Sequence, residues 1–201
     1  MDYKQVLPER PGHIENYKKF SVALVLQELD GKDYIVLEQR SANLNAQPCE
    51  ISFPGGSIEE GESDKEAAIR ETCEELLIDP QDLDYYGQLD SLITSYGIEL
   101  SVFLMRLNKD RPLERWNKDE VEKILYFPVS DLKKEAPIHQ VETHHKFPED
   151  FPFEYIQGGR NYPFKSLKQN FYFYHIEGVW VWGLTARILY YFGEKLKDLE
   201  S

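Results

Sequence analysis

Two runs rich in β-branched and aliphatic residues, "FSVALVLQEL" and "DYIVLEQR", meet across the turn signal "DGKD". Runs this apolar need partner strands, and an Asp-Gly turn between them commits about 20 residues to an antiparallel hairpin. The rest of the chain must build on that hairpin. "ISFPGG" reads as a short strand ending in a breaker, and "LDYYGQLDSLI", "IELSVFLMRL" and "EKILYFPV" as further strands. "TSYG" and "NKDRPLERWNKD" are their loops. The C-terminal "VWGLTARILYYFGEKLKDL" sets Trp182, Thr185, Leu189, Phe192 and Leu196 at helical spacing, and that helix needs a sheet to cover.

No repeat, low-complexity tract or Gly/Ser linker divides the 201 residues, which reads as one domain. The formal net charge of −13 argues against binding a nucleic-acid backbone. An anionic substrate would need a cation brought from outside. Cys49 and Cys73 supply neither a disulfide framework nor a metal-type spacing. The N-terminal "MDYKQVLPERPGHIENYKKF" has no apolar signal core, and no run approaches the roughly 18 apolar residues of a membrane span. The expectation is a soluble cytoplasmic protein without a membrane partner.

Between Gly55 and Ile78 lie Glu59, Glu60, Glu62, Asp64, Glu66, Glu71, Glu74 and Glu75 against Lys65 and Arg70 alone. Ser63 followed by Glu66 is a capping-box pattern and starts a helix near Asp64. At 100° per residue Glu71, Glu74 and Glu75 share one side of it, while Ala68, Ile69, Thr72 and Leu76 face a core. Ala67, among the carboxylates, leaves room for a ligand to approach. Three like charges in one turn invite a counter-charge, and hard oxygen ligands suit Mg²⁺ or Mn²⁺. A solvated acidic helix face accounts for the same run without any ligand.

The order of these residues adds to that reading. Gly56, five residues, Glu62, seven residues, Arg70-Glu71, then Glu74-Glu75 resembles the Nudix box of the Nudix hydrolases. Thr72 stands where that box has an aliphatic and Leu77 where it has Gly, so the helix is expected to run on or end differently. The resemblance implies an α/β/α sandwich: a mixed, curved sheet between the box helix and the C-terminal helix. It also implies hydrolysis of a nucleoside diphosphate linked to another group. Glu71, Glu74, Glu75 and the Gly56 carbonyl would hold metal, and Arg70 with Glu62 would organise loop and helix. The general base is Glu71, Glu75 or a later carboxylate, for which Glu120 in "DEVEKILYFPV" is the leading candidate, as base or extra ligand.

Upstream, "VLEQRSANLNAQPCEISFPGG" resembles the signature of the coenzyme A pyrophosphatase subfamily at Arg40, Ser41, Phe53, Pro54, Gly55 and Gly56. "VWGLTARILYYF" resembles its Trp-Gly-any-Thr-Ala stretch. Arg40, Ser41, Phe53, Pro54 and Gly55 are accordingly the expected substrate-binding residues. Asn45 replaces a second signature Arg, Cys49 a Gly and Glu38 a Thr. The first removes a bidentate phosphate ligand; the second, lacking glycine's access to positive φ, predicts a different loop path.

The resemblance thus points to cleavage of coenzyme A or its thioesters to adenosine 3′,5′-bisphosphate and the phosphopantetheine part. ADP-ribose or another nucleoside diphosphate derivative is the second reading, and a non-catalytic ligand sensor the third. Several features have a structural reading beside the functional one. Arg40 serves a phosphate or a salt bridge. Cys73 reads as a packed thiol, His139, His144 and His145 as a solvated loop, and Trp180 and Trp182 as core. The stretch from Ala136 to Phe171, rich in Pro, Gly and aromatics, reads as an ordered excursion, either a lid or half of a homodimer interface.

Overall fold

A computed structural model describes residue 14 and residues 16–134 and 136–199. The reading of the first 13 residues lies outside them. The chain forms two compact units, divided between Val129 and Ser130.

The first unit is built on the expected hairpin. β1 (Lys18–Leu29) pairs antiparallel with β2 (Lys32–Arg40), and the turn residues Asp30 and Gly31 both take positive φ, at 51° and 72°. This is the backbone that a tight two-residue hairpin demands, and Asp-Gly reaches it at low cost. "ISFPGG" becomes two short strands, β3 (Ile51–Ser52) and β4 (Gly55–Ser57). The first pairs with β2 and the second with the start of β1. After the helix α1 (Asp64–Leu76) come β5 (Leu83–Gln88), β6 (Leu92–Ile93), β7 (Ile98–Leu107) and β8 (Val121–Pro128).

β1 and β7 run parallel over ten registered pairs, and every other pairing is antiparallel, so the sheet is mixed as expected. The path β3-β2-β1-β7-β5 puts β1 and β2 at its interior, where Leu24, Val25, Ile35, Val36 and Leu37 are all fully buried. A strand buried on both faces reads as a continuous apolar run, which is why "ALVL" and "IVL" do not alternate.

One core cluster joins Val25, Val36, Phe103, Met105, Val121 and Ile124 of the sheet to Ala68 and Leu76 of α1. The helix is also tied by polar contacts. Ser21 donates to the Asp64 carbonyl and Ser101 to the Asp64 carboxylate, both at 2.5 Å. Thr72, buried in place of the usual aliphatic, returns its hydroxyl to the Ala68 carbonyl at 2.6 Å and so leaves no orphan donor. Ala67 is fully buried, so it opens no approach for a ligand: its face packs against the sheet.

The loop after β7 is held by Gln27, buried in β1, whose amide donates to the carbonyls of Lys109 (2.9 Å) and Arg111 (2.8 Å). Its far end is tied to the C-terminal turn of α1, where the Asn117 N–H donates to the Glu75 carbonyl at 2.8 Å.

The second unit contains the excursion. β9 (Ile138–Thr143) and β10 (Leu167–Tyr172) form an antiparallel ribbon, closed by a long loop in which Phe147, Phe151, Phe153 and Phe164 pack ring against ring. It is ordered by its aromatics, as its composition implies. β11 (Tyr174–Ile176) and β12 (Val179–Val181) make a short hairpin, and α2 (Gly183–Asp198) follows. The helix starts one residue later than its apolar spacing predicts, because Val181 ends a strand and Trp182 takes the extended position before the helix. Trp180 and Trp182 are therefore not core residues. They stand 59% and 48% exposed, while Val181 between them is fully buried, the alternation of a strand rather than a helix face. No described helix is long and apolar enough to cross a membrane.

Candidate functional site

Ser63 and Glu66 form the complete capping box, which starts α1 where the spacing requires. Leu77 overturns the expectation about the other end. It adopts the left-handed conformation (φ 50°, ψ 50°) that glycine would take there, its N–H bonding the Cys73 carbonyl. Tertiary packing of the helix outweighs the local strain, of order 1 kcal/mol for a non-glycine residue. Cys49 does the same at φ 63°, so the loop between β2 and β3 keeps a glycine-like path.

Arg70 organises the polar face of α1. Its Nε and Nη2 donate to the two oxygens of Glu62 at 2.9 and 3.0 Å, and Nη2 also to the Ser57 carbonyl at 3.2 Å. Nη1 reaches Glu71 at 2.9 Å and Glu74 at 3.4 Å. This fork ties the 57–62 loop to the helix and holds the Glu62 carboxyl below its usual range.

The carboxylates separate by burial. Glu75 is 3% exposed and lies under β4, accepting the Gly55 N–H at 2.8 Å. Glu71 sits against Gly56, where a Cβ would overlap the Glu71 carboxylate unless that side chain moved. Gly55 is equally confined by the backbone of Ser21 and Val22, at φ 147°. The two glycines therefore let a strand pass between β1 and a carboxylate-bearing helix face. Glu74 points outward, 57% exposed at its side chain. It borders a shallow cleft of about 650 Å³ that also takes in Glu59, Glu62, Glu66, Arg70 and Cys73. The Cys73 thiol is pushed up to about 11, chiefly by burial, and is thus an unreactive packed group, as expected.

Glu120 is brought to the buried pair by the loop after β7. Asn117 turns the chain, accepting the N–H groups of Asp119, Glu120 and Val121, and the Ser41 N–H donates to the Glu120 carbonyl at 2.8 Å. The negative charge of Glu120 acts on both Glu71 and Glu75, raising their pKa values along with burial, the largest cause in each.

The residue that sequence reasoning missed is Glu38. It stands where the signature has Thr, yet it lies on β2 beside these groups and is wholly buried. Ser52 donates to its Oε1 at 3.0 Å, and its carboxyl meets that of Glu75. Burial, then the charge of Glu38, pushes Glu75 up, and burial pushes Glu38 up too. The signal was available: a Glu in the apolar run "YIVLEQR" points, at strand period two, to the same side as Arg40.

The remaining expected residues fall as follows. Arg40 stands at a register shift between β2 and β8, and bulges of this kind redirect a side chain. Its charge acts on Glu38, and its buried Nε meets no described acceptor. Ser41 is buried, and its hydroxyl accepts the Asn43 N–H at 3.4 Å. Phe53, between β3 and β4, is buried, and the Pro54 carbonyl accepts the Ala23 N–H. His139, His144 and His145 are exposed.

No three His, Cys, Asp or Glu side chains among the described residues are gathered at metal-holding distance. Arg70 draws Glu71 to itself at 2.9 Å, while Glu75 meets Glu38 instead. The donor set nevertheless fits a hard divalent cation: it is all oxygen, partly buried, and leaves Glu38 Oε2 with no N–H or hydroxyl donor among the described residues.

The profile of the NUDIX domain matches residues 18–151. The chain belongs to the Nudix hydrolase family. Nudix hydrolase 3 of Caenorhabditis elegans is 31% identical over 126 residues, which are 61% of this chain and 52% of that protein. This chain thus spans about half the length of that relative. An uncharacterised Nudix hydrolase, NudL, of Photorhabdus laumondii is 24% identical over 95% of this chain and 92% of its own. A crystal structure of a C. elegans Ap4A hydrolase superposes with a TM-score of 0.47 and 23% identity, covering 56% of this chain and 81% of that one.

Proposed function

We propose that this chain cleaves the diphosphate of coenzyme A or its thioesters, releasing adenosine 3′,5′-bisphosphate and the (acyl-)phosphopantetheine part, with Mg²⁺ or Mn²⁺. The observation that carries this over other Nudix substrates is Cys49. At φ 63° it holds a left-handed conformation that costs glycine little, which supports a loop from Arg40 to Phe53 suited to the signature glycine.

In this reading Glu71, Glu74, Glu75 and the Gly56 carbonyl hold the cation. When bound, it neutralises the diphosphate and makes a water more acidic. The protein supplies the rest. Arg40, with a buried Nε free of described acceptors, binds a substrate phosphate. Arg70 stays committed to Glu62 and orients Glu71. Glu120, held at the site by the Asn117 turn, takes the proton of the attacking water. Water oxygen bonds to one phosphorus as its bond to the bridging oxygen breaks, and the second phosphate leaves with that oxygen.

A second reading, ADP-ribose as substrate, is favoured by Asn45, which offers no guanidinium for the additional 3′-phosphate of coenzyme A. Hydrolysis of coenzyme A, ADP-ribose and a nucleoside triphosphate side by side, with each metal and with products identified by mass, separates them. Preferential formation of adenosine 3′,5′-bisphosphate supports the proposal, and preference for ADP-ribose replaces it. If none turns over, and Glu74→Gln/Glu75→Gln leaves ligand binding unchanged, the chain is a sensor.

A further inference from the structure

We infer that Glu38 is an additional carboxylate of the metal centre, completing from strand β2 the ligand set that α1 begins. The inference rests on the divalent-cation reading above and deepens it. Glu38 is 0% exposed, in the middle of a strand whose neighbours Val36 and Leu37 are core residues. Nothing in strand formation calls for a carboxylate there. Ionised carboxylates are buried only when paired, hydrogen-bonded or bound to metal.

Half of this side chain is accounted for by structure. Oε1 takes the Ser52 hydroxyl at 3.0 Å, across the β2–β3 pairing in which Glu38 stands opposite Ser52. That contact fixes the rotamer. Oε2 is buried and receives no hydrogen bond from an N–H or hydroxyl group of any described residue. Its neighbour is the carboxyl of Glu75, an acceptor when ionised, whose own second contact is the Gly55 N–H. The charges of Glu71 and Glu120 also act on Glu75, and Arg40 is the cation whose charge acts on Glu38. A fixed, buried carboxyl whose second oxygen meets only another buried carboxyl offers a hard cation the oxygen ligands it needs, and a packed core seldom holds such a pair.

The competing account is that Glu38 and Glu75 form a buried acid pair, with Glu75 keeping its proton and donating to Glu38, and serve packing alone. Glu38→Gln separates the two. The amide has nearly the same shape and its oxygen still accepts a hydrogen bond from Glu75, but it carries no charge and is a weak ligand. The experiment titrates the full chain with Mn²⁺, following free Mn²⁺ by electron paramagnetic resonance, with thermal unfolding in EDTA to confirm that the variant is folded. A ligand role lowers Mn²⁺ affinity by about tenfold or more, while Tm in EDTA is unchanged or higher than in the parent. Unchanged Mn²⁺ affinity in a folded Glu38→Gln overturns the inference and leaves the proposed function standing. Failure of the parent chain to bind Mn²⁺ overturns both. If Glu38→Gln does not fold, Glu38→Asp, one methylene shorter and still charged, takes its place. A loss of affinity supports the ligand role, and full affinity overturns it.

Discussion

At Leu77 and Cys49 the backbone takes positive φ without glycine, at 50° and 63°. Neither side chain gains from it: Leu77 is 58% exposed and Cys49 is also at the surface. Glycine would remove the strain while adding freedom to the unfolded chain. Leu77→Gly and Cys49→Gly are each expected to stabilise by about 0.5–1 kcal/mol, read as a rise in urea midpoint at constant slope. Arg70 works in the opposite sense. Its fork binds both Glu62 oxygens, the Ser57 carbonyl and Glu71, a pattern that a lysine ammonium has no geometry to reproduce. Arg70→Lys is expected to cost about 1 kcal/mol in a denaturation experiment, since the group is partly exposed, and to lower turnover further by releasing Glu71.

The helix α1 carries the candidate ligands, so its stability and its register matter together. Its start depends on the reciprocal bonds between Ser63 and Glu66, and Ser63→Ala is expected to cost about 1 kcal/mol. Helical far-ultraviolet signal lost ahead of the main unfolding transition would locate that cost in α1. Its other constraint is β4, whose Gly56 abuts Glu71. Gly56→Ala is expected to leave the chain folded, displace the Glu71 carboxylate and weaken Mn²⁺ binding. Intact Mn²⁺ affinity in that variant would show that Glu71 is not held against β4 in the working protein.

For the whole molecule, the buried carboxylates make stability depend on pH. Glu38, Glu71 and Glu75 all have pKa values raised above the ordinary value of 4.5, with burial the first cause. Above that value the unfolded chain has released protons that the folded chain still binds, so the slope of unfolding free energy against pH is negative. The contribution of these groups is full at acid pH and is lost as pH rises through their folded-state pKa values. In EDTA, Tm is expected to fall from slightly acid to alkaline pH. Saturating Mg²⁺ or Mn²⁺, which favours the ionised carboxylates, is expected to flatten or reverse that fall. A Tm in EDTA that climbs steadily over this range would show that the carboxylates are solvated.

Much of the architecture was legible because it depends on local pattern. The Asp-Gly turn, the apolar strand runs and the capping box each dictate backbone geometry within a few residues, and the structure follows them. The box spacing placed Glu71 and Glu75 on one side of α1 for the same reason, a fixed rotation per residue. Tertiary structure decided what local pattern leaves free. It buried Ala67 and turned Glu74 outward, although both lie near Glu71 on the helical wheel. It set Trp180 and Trp182 toward solvent on either side of a buried Val181. It forced Leu77 and Cys49 into conformations that their own preferences oppose, because packing energy summed over many contacts exceeds one residue's strain. Above all it set Glu38, 37 positions before Glu75 in the sequence, against that carboxylate. Strand pairing and helix packing bring such residues together through the whole core, and no spacing along the chain records it.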